Sequence, residues 1–168
     1  MEQDENENMD ENLTVLMNEY GDSVLRISYL YLQDYQLAED VAQETFIRVY
    51  QHYEEFRSQS SIKTWILKIA INLCKNQMRT HWWKNRGDRE VPEEDTEGGY
   101  DGLVDRQMVL SEIGKLPVKY KEVILLYYYQ QLTISEISSL LNEKESTIKS
   151  RLARARKKLE PRLEKGFH

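Results

Sequence analysis

The stretch LTISEISSLLNEKESTIKSRLARARKKL, residues 132–159, constrains this chain most, because its apolar spacing reads as two helices joined by a tight turn. Thr133 fits an N-cap, with Glu136 three residues on to complete a capping box. Ile134, Ile137, Leu140 and Leu141 give the first helix one apolar face. Asn142 tolerates the left-handed backbone of a sharp turn, and Glu145 or Ser146 can cap the second helix. In that helix, Ile148, Leu152, Ala155 and Leu159 share an inward stripe. Ser146, Lys149, Ser150, Ala153, Arg154 and Lys157 lie opposite, with Arg151, Arg156 and Lys158 at the flanks. Small and hydrogen-bonding residues at the centre let a helix approach base edges, and flanking cations neutralise phosphates. A helix-turn-helix reads duplex DNA by this division of labour. A solvated basic face on a surface helix is the plainer alternative, and the capped helix and turn directly before it favour DNA.

A net charge of −6 over 168 residues is at odds with nucleic acid only until its distribution is considered. Residues 1–12 carry six acids and no base, and residues 88–105 carry eight acids against Arg89 alone. Those segments hold −6 and −7, which leaves +7 on the remainder. With 40% hydrophobic residues, seven glycines, three prolines and no alternating strand pattern, the chain is expected to be soluble and all-α. The single cysteine, Cys74, excludes an internal disulfide and reads as core packing in a reducing compartment. His52, His81 and His168 form no metal-ligand spacing. No catalytic motif or phosphate-binding glycine loop is visible, so neither an enzyme nor a cofactor is expected. No signal peptide is visible, because the N-terminus is acidic, and the longest apolar run, residues 123–129, is expected to be too short to span a bilayer.

Taken in order, residues 1–11 read as a disordered acidic segment. A first helix over 12–32 places Leu13, Leu16, Met17, Tyr20, Val24, Ile27 and Leu30 or Tyr31 inward, with Gly21 weakening its middle. After a break at Gln33 and Asp34, a second helix over 36–53 buries Leu37, Val41, Thr45 or Phe46, Val49 and Tyr53. A polar loop bracketed by Phe56 and Trp65 leads to a third helix over 62–83. That helix buries Ile66, Ile69, Ala70, Leu73 and Cys74 or Gln77. Residues 84–105, with Pro92 and the pair Gly98 and Gly99, read as a flexible acidic linker. Beyond it a helix over 106–116, ended by Pro117, and another over 119–131 support the helix-turn-helix, with Val123, Ile124, Tyr127 and Tyr128 available for packing. The expected architecture is two small helical domains, 12–83 and 106–168.

Three segments together carry a family resemblance: AEDVAQETFIRVY at 38–50, the F…TWILKIAIN of 56–72 and the LTISEIS…STIKSRLARARKKL of 132–159. In this order and separation they resemble an extracytoplasmic-function (ECF) RNA polymerase sigma factor of the sigma-70 family, a small bacterial transcription-initiation factor. The chain departs from the family's usual pattern at Asn142 and Glu143, where glycine and an apolar residue are common. It departs again at Ser146, where glycine is common.

The resemblance implies that the first domain binds core RNA polymerase, on the β′ coiled coil, through Asp40, Gln43, Glu44, Ile47 and Arg48. It implies that Phe56, Arg57, Ser58, Ser60, Lys63, Asn72 and Lys75 or Arg79 engage the −10 element as single-stranded DNA. Trp65 reads better as core, and the roles of Trp82 and Trp83 stay open. The second domain would read the −35 element as duplex through Ser146, Thr147, Lys149, Ser150, Ala153 and Arg154. Arg151, Arg156 and Lys157 would lie mainly on phosphates. The resemblance further implies contact with the polymerase β flap, an anti-sigma factor, and action in the bacterial cytoplasm with no small-molecule substrate or membrane insertion. A stand-alone helix-turn-helix regulator is the main alternative, though no heptad seam or effector pocket is visible. A helical adaptor that binds only proteins is a third reading.

Overall fold

A computed structural model describes residues 2–56, 60–84 and 101–166, which divide into two compact units, Met1–Arg86 and Gly87–His168. No strand occurs among the described residues, and no helix there is long and apolar enough to cross a membrane.

The first unit packs α1 (Glu2–Leu32), α2 (Tyr35–His52) and α3 (Ile62–Lys84) against one another, with a single 3₁₀ turn (Tyr53–Glu55) after α2. Leu16, Val24, Phe46, Val49, Ile66 and Ala70 form a shared core, and Leu13, Tyr20, Trp65 and Ile69 close its edges. The helices therefore bury the faces that their spacing marks, and desolvation of those stripes drives the bundle together. Gln33 ends α1 in the left-handed region (φ 54°), its amide donating to the Tyr29 carbonyl at 2.7 Å. Asp34 starts α2, its carboxylate accepting from the Leu37 amide at 3.0 Å. Ser61 does the same for α3, its Oγ accepting from the Thr64 amide at 3.1 Å.

Three expectations are corrected by this unit. The acidic segment 1–11 is not disordered from residue 2 onward, because α1 already begins at Glu2. Carboxylates at a helix N-terminus favour the dipole, and no proline or glycine interrupts the run into the anchored turns. Met17, placed inward by spacing, is 47% exposed, since at this level the bundle covers only the Leu13, Leu16 and Tyr20 edge. On α3 the buried arc is broader than expected and includes Leu67 and Ile71.

The second unit contains α4 (Asp101–Gly114), α5 (Val118–Ile124), a π-helical turn (Leu125–Tyr129), α6 (Ile134–Leu141) and α7 (Glu145–Gly166). Helix α4 takes in residues 101–105, which composition assigns to the linker. Residues 85–100 of that linker lie outside the described residues. Pro117 precedes α5 and its carbonyl accepts from the Tyr120 and Lys121 amides. The core joins Ile113, Leu116, Val123, Leu125, Leu126, Ile137, Ile148 and Leu152.

The π turn changes which tyrosines pack. An α-helix through 119–131 would carry Tyr127 and Tyr128 on the Val123 and Ile124 side. Instead the Gln130 amide donates to Leu125 O at 3.0 Å, a ring one residue wider than in an α-helix. The wider turn delays the return to the core, so Gln130 and Leu132 are buried while Tyr128 and Tyr129 are 49% and 42% exposed. The expected packing of Tyr128 is thereby corrected. Gln131, in the left-handed region (φ 56°), then redirects the chain into α6.

Candidate nucleic-acid interface

Helix α6 opens on a full capping box. Thr133 Oγ1 accepts from the Glu136 amide at 3.1 Å, and Glu136 Oε2 accepts from the Thr133 amide at 2.9 Å. Asn142 turns the chain at φ 54°, ψ 46°, a conformation a short amide side chain tolerates. Ser138 ties the turn from both directions: its carbonyl accepts from the Glu143 amide at 3.1 Å, and its hydroxyl donates to Glu143 O at 2.5 Å. The usual glycine is thus absent without loosening the turn. Helix α7 starts at Glu145, with the Ile148 amide donating to Lys144 O at 3.1 Å. Glu145 and Ser146 therefore sit within the first turn rather than at the cap, a correction to the expected start.

Along α7, Ile148, Leu152, Ala155 and Leu159 are buried as their spacing requires. Ser146, Lys149, Ser150, Ala153, Arg154, Arg156, Lys157 and Lys158 are exposed, and Thr147 is half-buried. Arg151 differs from the other cations. Its guanidinium donates to Glu143 Oε1 at 3.0 Å and lies 3.9 Å from Glu122 Oε1, with 22% of its side chain exposed and 5% of Glu122's. Its charge is answered inside the protein, so the structure makes it a clasp between α5, the turn and α7.

Two tyrosines organise the flanks of α7. On one side Tyr128 Oη accepts from Arg156 Nε at 2.6 Å, and the guanidinium stands 5.5 Å from the Tyr128 ring centroid and 5.9 Å from that of Tyr127. On the other, Tyr120 lies beneath Lys119 and Lys158, whose ammonium groups are 5.0 and 5.4 Å from its ring centroid. Burial pushes the Tyr120 phenol up, but hydrogen bonding to Arg154 and the nearby Lys119 charge outweigh it and hold the phenol below the ordinary tyrosine value. An open cavity of about 400 Å³ is lined here by Lys119, Tyr120, Ser146, Thr147, Ser150, Arg151 and Arg154. The pairings Tyr128 with Arg156 and Tyr120 with Arg154 span 28 and 34 positions, and no local pattern could have announced them.

In the first unit, Asp40, Gln43, Glu44, Ile47 and Arg48 share one face of α2, opposite buried Ala38, Val41, Phe46 and Val49. Ile47 is 50% exposed at the centre of that face, and Glu44 and Arg48 pair beside it at 3.1 Å. On α3, Trp65, Lys68, Asn72, Asn76 and Arg79 fall on one strip by helical spacing. Arg79 donates to Asn76 Oδ1. Phe56 stacks against Trp65, their ring centroids 5.1 Å apart at 36°, and Trp65 in turn packs on the core. Ser60, just before α3, and Lys75 are half-buried, whereas Lys63 sits about 200° around the helix from Trp65. The expected single-strand residues are therefore not all on one face. Arg57 and Ser58 lie outside the described residues, as do the side chains of Trp82 and Trp83. No group of three His, Cys, Asp or Glu among the described residues could hold a metal ion.

Comparison with known proteins agrees with this geometry. Residues 16–84 match the family Sigma-70 region 2, and residues 106–159 match Sigma-70, region 4. The chain is 34% identical over 160 residues to the ECF RNA polymerase sigma factor SigW of Bacillus subtilis (strain 168), covering 86% of this chain and 84% of that protein. It is 30% identical over 159 residues to the ECF RNA polymerase sigma factor SigM of the same organism, covering 89% and 93%. In fold it is similar to the sigma factor RpoE solved with the anti-sigma factor NepR from Bartonella quintana. That likeness has a TM-score of 0.77 at 20% identity, over 92% of this chain and 98% of that one. With both sigma-70 regions matched in order and relatives at this identity across most of their length, the chain belongs to the ECF family of RNA polymerase sigma factors.

Proposed function

We propose that the two units divide promoter recognition. The first docks on the β′ coiled coil of core polymerase through the α2 face around Ile47 and engages melted −10 DNA through Phe56 and the exposed strip of α3. The second reads the −35 duplex with the Ser146, Lys149, Ser150, Ala153 and Arg154 stripe of α7 and meets the β flap. The observation that carries this is the pairing of an exposed, charge-ringed isoleucine on α2 with a fully capped helix-turn-helix whose outward stripe is basic and small. An apolar side chain left in water at the centre of a polar face has the composition of a docking point. Helix α7 has the division between base-reading and phosphate-holding residues that groove recognition needs. Action in the bacterial cytoplasm, and restraint by an anti-sigma factor that covers these same surfaces, belong to the same proposal. The RpoE of similar fold was itself solved in complex with the anti-sigma factor NepR. The test is direct titration of the full chain against bacterial core RNA polymerase. Saturable one-to-one binding supports the reading, and none at micromolar concentration contradicts it.

A further inference from the structure

The reading of α7 as a duplex-binding helix leaves its α5 flank without an assigned role. Ser146, Ser150 and Arg154, four residues apart, run along the edge shared by the outward stripe and the cavity. The major groove is about 12 Å wide and a helix with its side chains about 10–12 Å across, so a seated α7 has a sugar–phosphate strand against each flank. On this flank the strand would meet a pocket lined by Lys119, Tyr120 and Arg154, with the Lys158 ammonium 5.4 Å from the Tyr120 ring centroid. Among the described residues that line it none is a carboxylate, and Arg151, whose charge Glu143 and Glu122 answer, adds little to the surplus.

We propose that this cavity holds a backbone phosphate of the promoter duplex, which makes Lys119 and Tyr120 DNA-contacting residues outside the recognition helix. The proposal rests on the reading of α7 above. Ammonium and guanidinium groups supply charge-assisted hydrogen bonds to the phosphate oxygens, and the Ser146 and Ser150 hydroxyls supply neutral ones. The net lowering of the Tyr120 phenol by Arg154 and Lys119 is what a positive local potential does to an acid, and the same potential favours a bound anion. A phosphate contact is blind to base sequence, so this subsite adds affinity and register without promoter choice.

The test uses the full chain and two duplexes of unrelated sequence, with affinity followed from about 50 to 200 mM salt. Lys119 is on the surface side of α5, so Lys119→Gln leaves the fold intact, and Tyr120→Phe keeps the buried ring as a second variant. Lys119→Gln should weaken both duplexes by a similar factor, about fivefold at low salt, and reduce the slope of log affinity on log salt by about 1. Tyr120→Phe should weaken both equally with a smaller change of slope. Wild-type binding that is lost on neither variant overturns the phosphate site alone. Absence of salt-dependent binding by the wild type overturns it together with the reading of α7. Inorganic phosphate at constant ionic strength distinguishes a free oxyanion. Lys119-dependent displacement of duplex by phosphate supports a duplex phosphate in the cavity, whereas phosphate that binds wild type but not Lys119→Gln and leaves duplex affinity unchanged would assign the cavity to that ion and overturn the DNA assignment.

Discussion

Arg151 reaches back across the turn it follows to hold Glu143, Nη2 to Oε1 at 3.0 Å, while the same guanidinium faces nearly buried Glu122 at 3.9 Å. One side chain of α7, the proposed DNA-reading helix, is thereby committed to fixing that helix to its own domain. Arg151→Ala should lower stability by about 2 kcal/mol, since it strips a partner from a carboxylate withdrawn from water. It should leave the salt slope of duplex binding nearly unchanged. Urea unfolding and salt-dependent titration check both. Unchanged stability with a reduced slope would make Arg151 a phosphate contact instead.

The turn itself predicts a graded series. At φ 54°, a side chain with Cβ and no local hydrogen bond is strained, so Asn142→Ala should cost about 1 kcal/mol. Asn142→Gly should be neutral or slightly stabilising, because glycine takes this conformation freely. Thermal unfolding of the three proteins orders them. Alanine as stable as asparagine would contradict the left-handed turn.

How much of this is legible in the sequence depends on the range of the interaction. The capping box at Thr133 and Glu136, the turn at Asn142 and the buried stripe of α7 rest on neighbours within four residues, and each stands where its spacing places it. Residues 2–11 depart from expectation because composition alone ignores the anchored helix to which they are joined. The tyrosine run departs because a π turn shifts the phase of everything after it, and nothing in LLYYY announces one. Arg151 and Tyr120 are hidden for a third reason. Their partners come from other elements, so only the packed domain reveals that one cation is answered and that the other site gathers several.

Two positions in α1 leave stability unclaimed. A Cβ at Gly21 would meet nothing within 4 Å, so Gly21→Ala should add about 1 kcal/mol by helix propensity alone. Ser28 Oγ is fully buried with no hydrogen-bond partner, so Ser28→Ala should add about 1 kcal/mol by removing a desolvated hydroxyl. Each is read as a rise in the urea midpoint, and the two should add, since they lie about two helical turns apart and share no partner. A fall for Ser28→Ala would mean that the hydroxyl is satisfied in solution.

Ile47 separates docking from folding. It is exposed on a face opposite the core, so Ile47→Asp should leave stability within about 0.5 kcal/mol of wild type. Affinity for core polymerase should fall by roughly tenfold or more, the loss expected when a central apolar contact is replaced by a charge. Competition binding against the wild-type chain measures it. An unchanged affinity would move the docking surface elsewhere on the first unit.

Whether this one chain gives core polymerase its promoter choice is read from transcription by core polymerase with the purified protein on a library of randomised promoters. Transcripts should depend on the protein and carry two enriched sequence blocks upstream of the start. Substitution of Lys149 or Ala153, stripe residues outside the cavity, should alter only the upstream block. Initiation without sequence enrichment, or none above core polymerase alone, would contradict promoter choice by this chain.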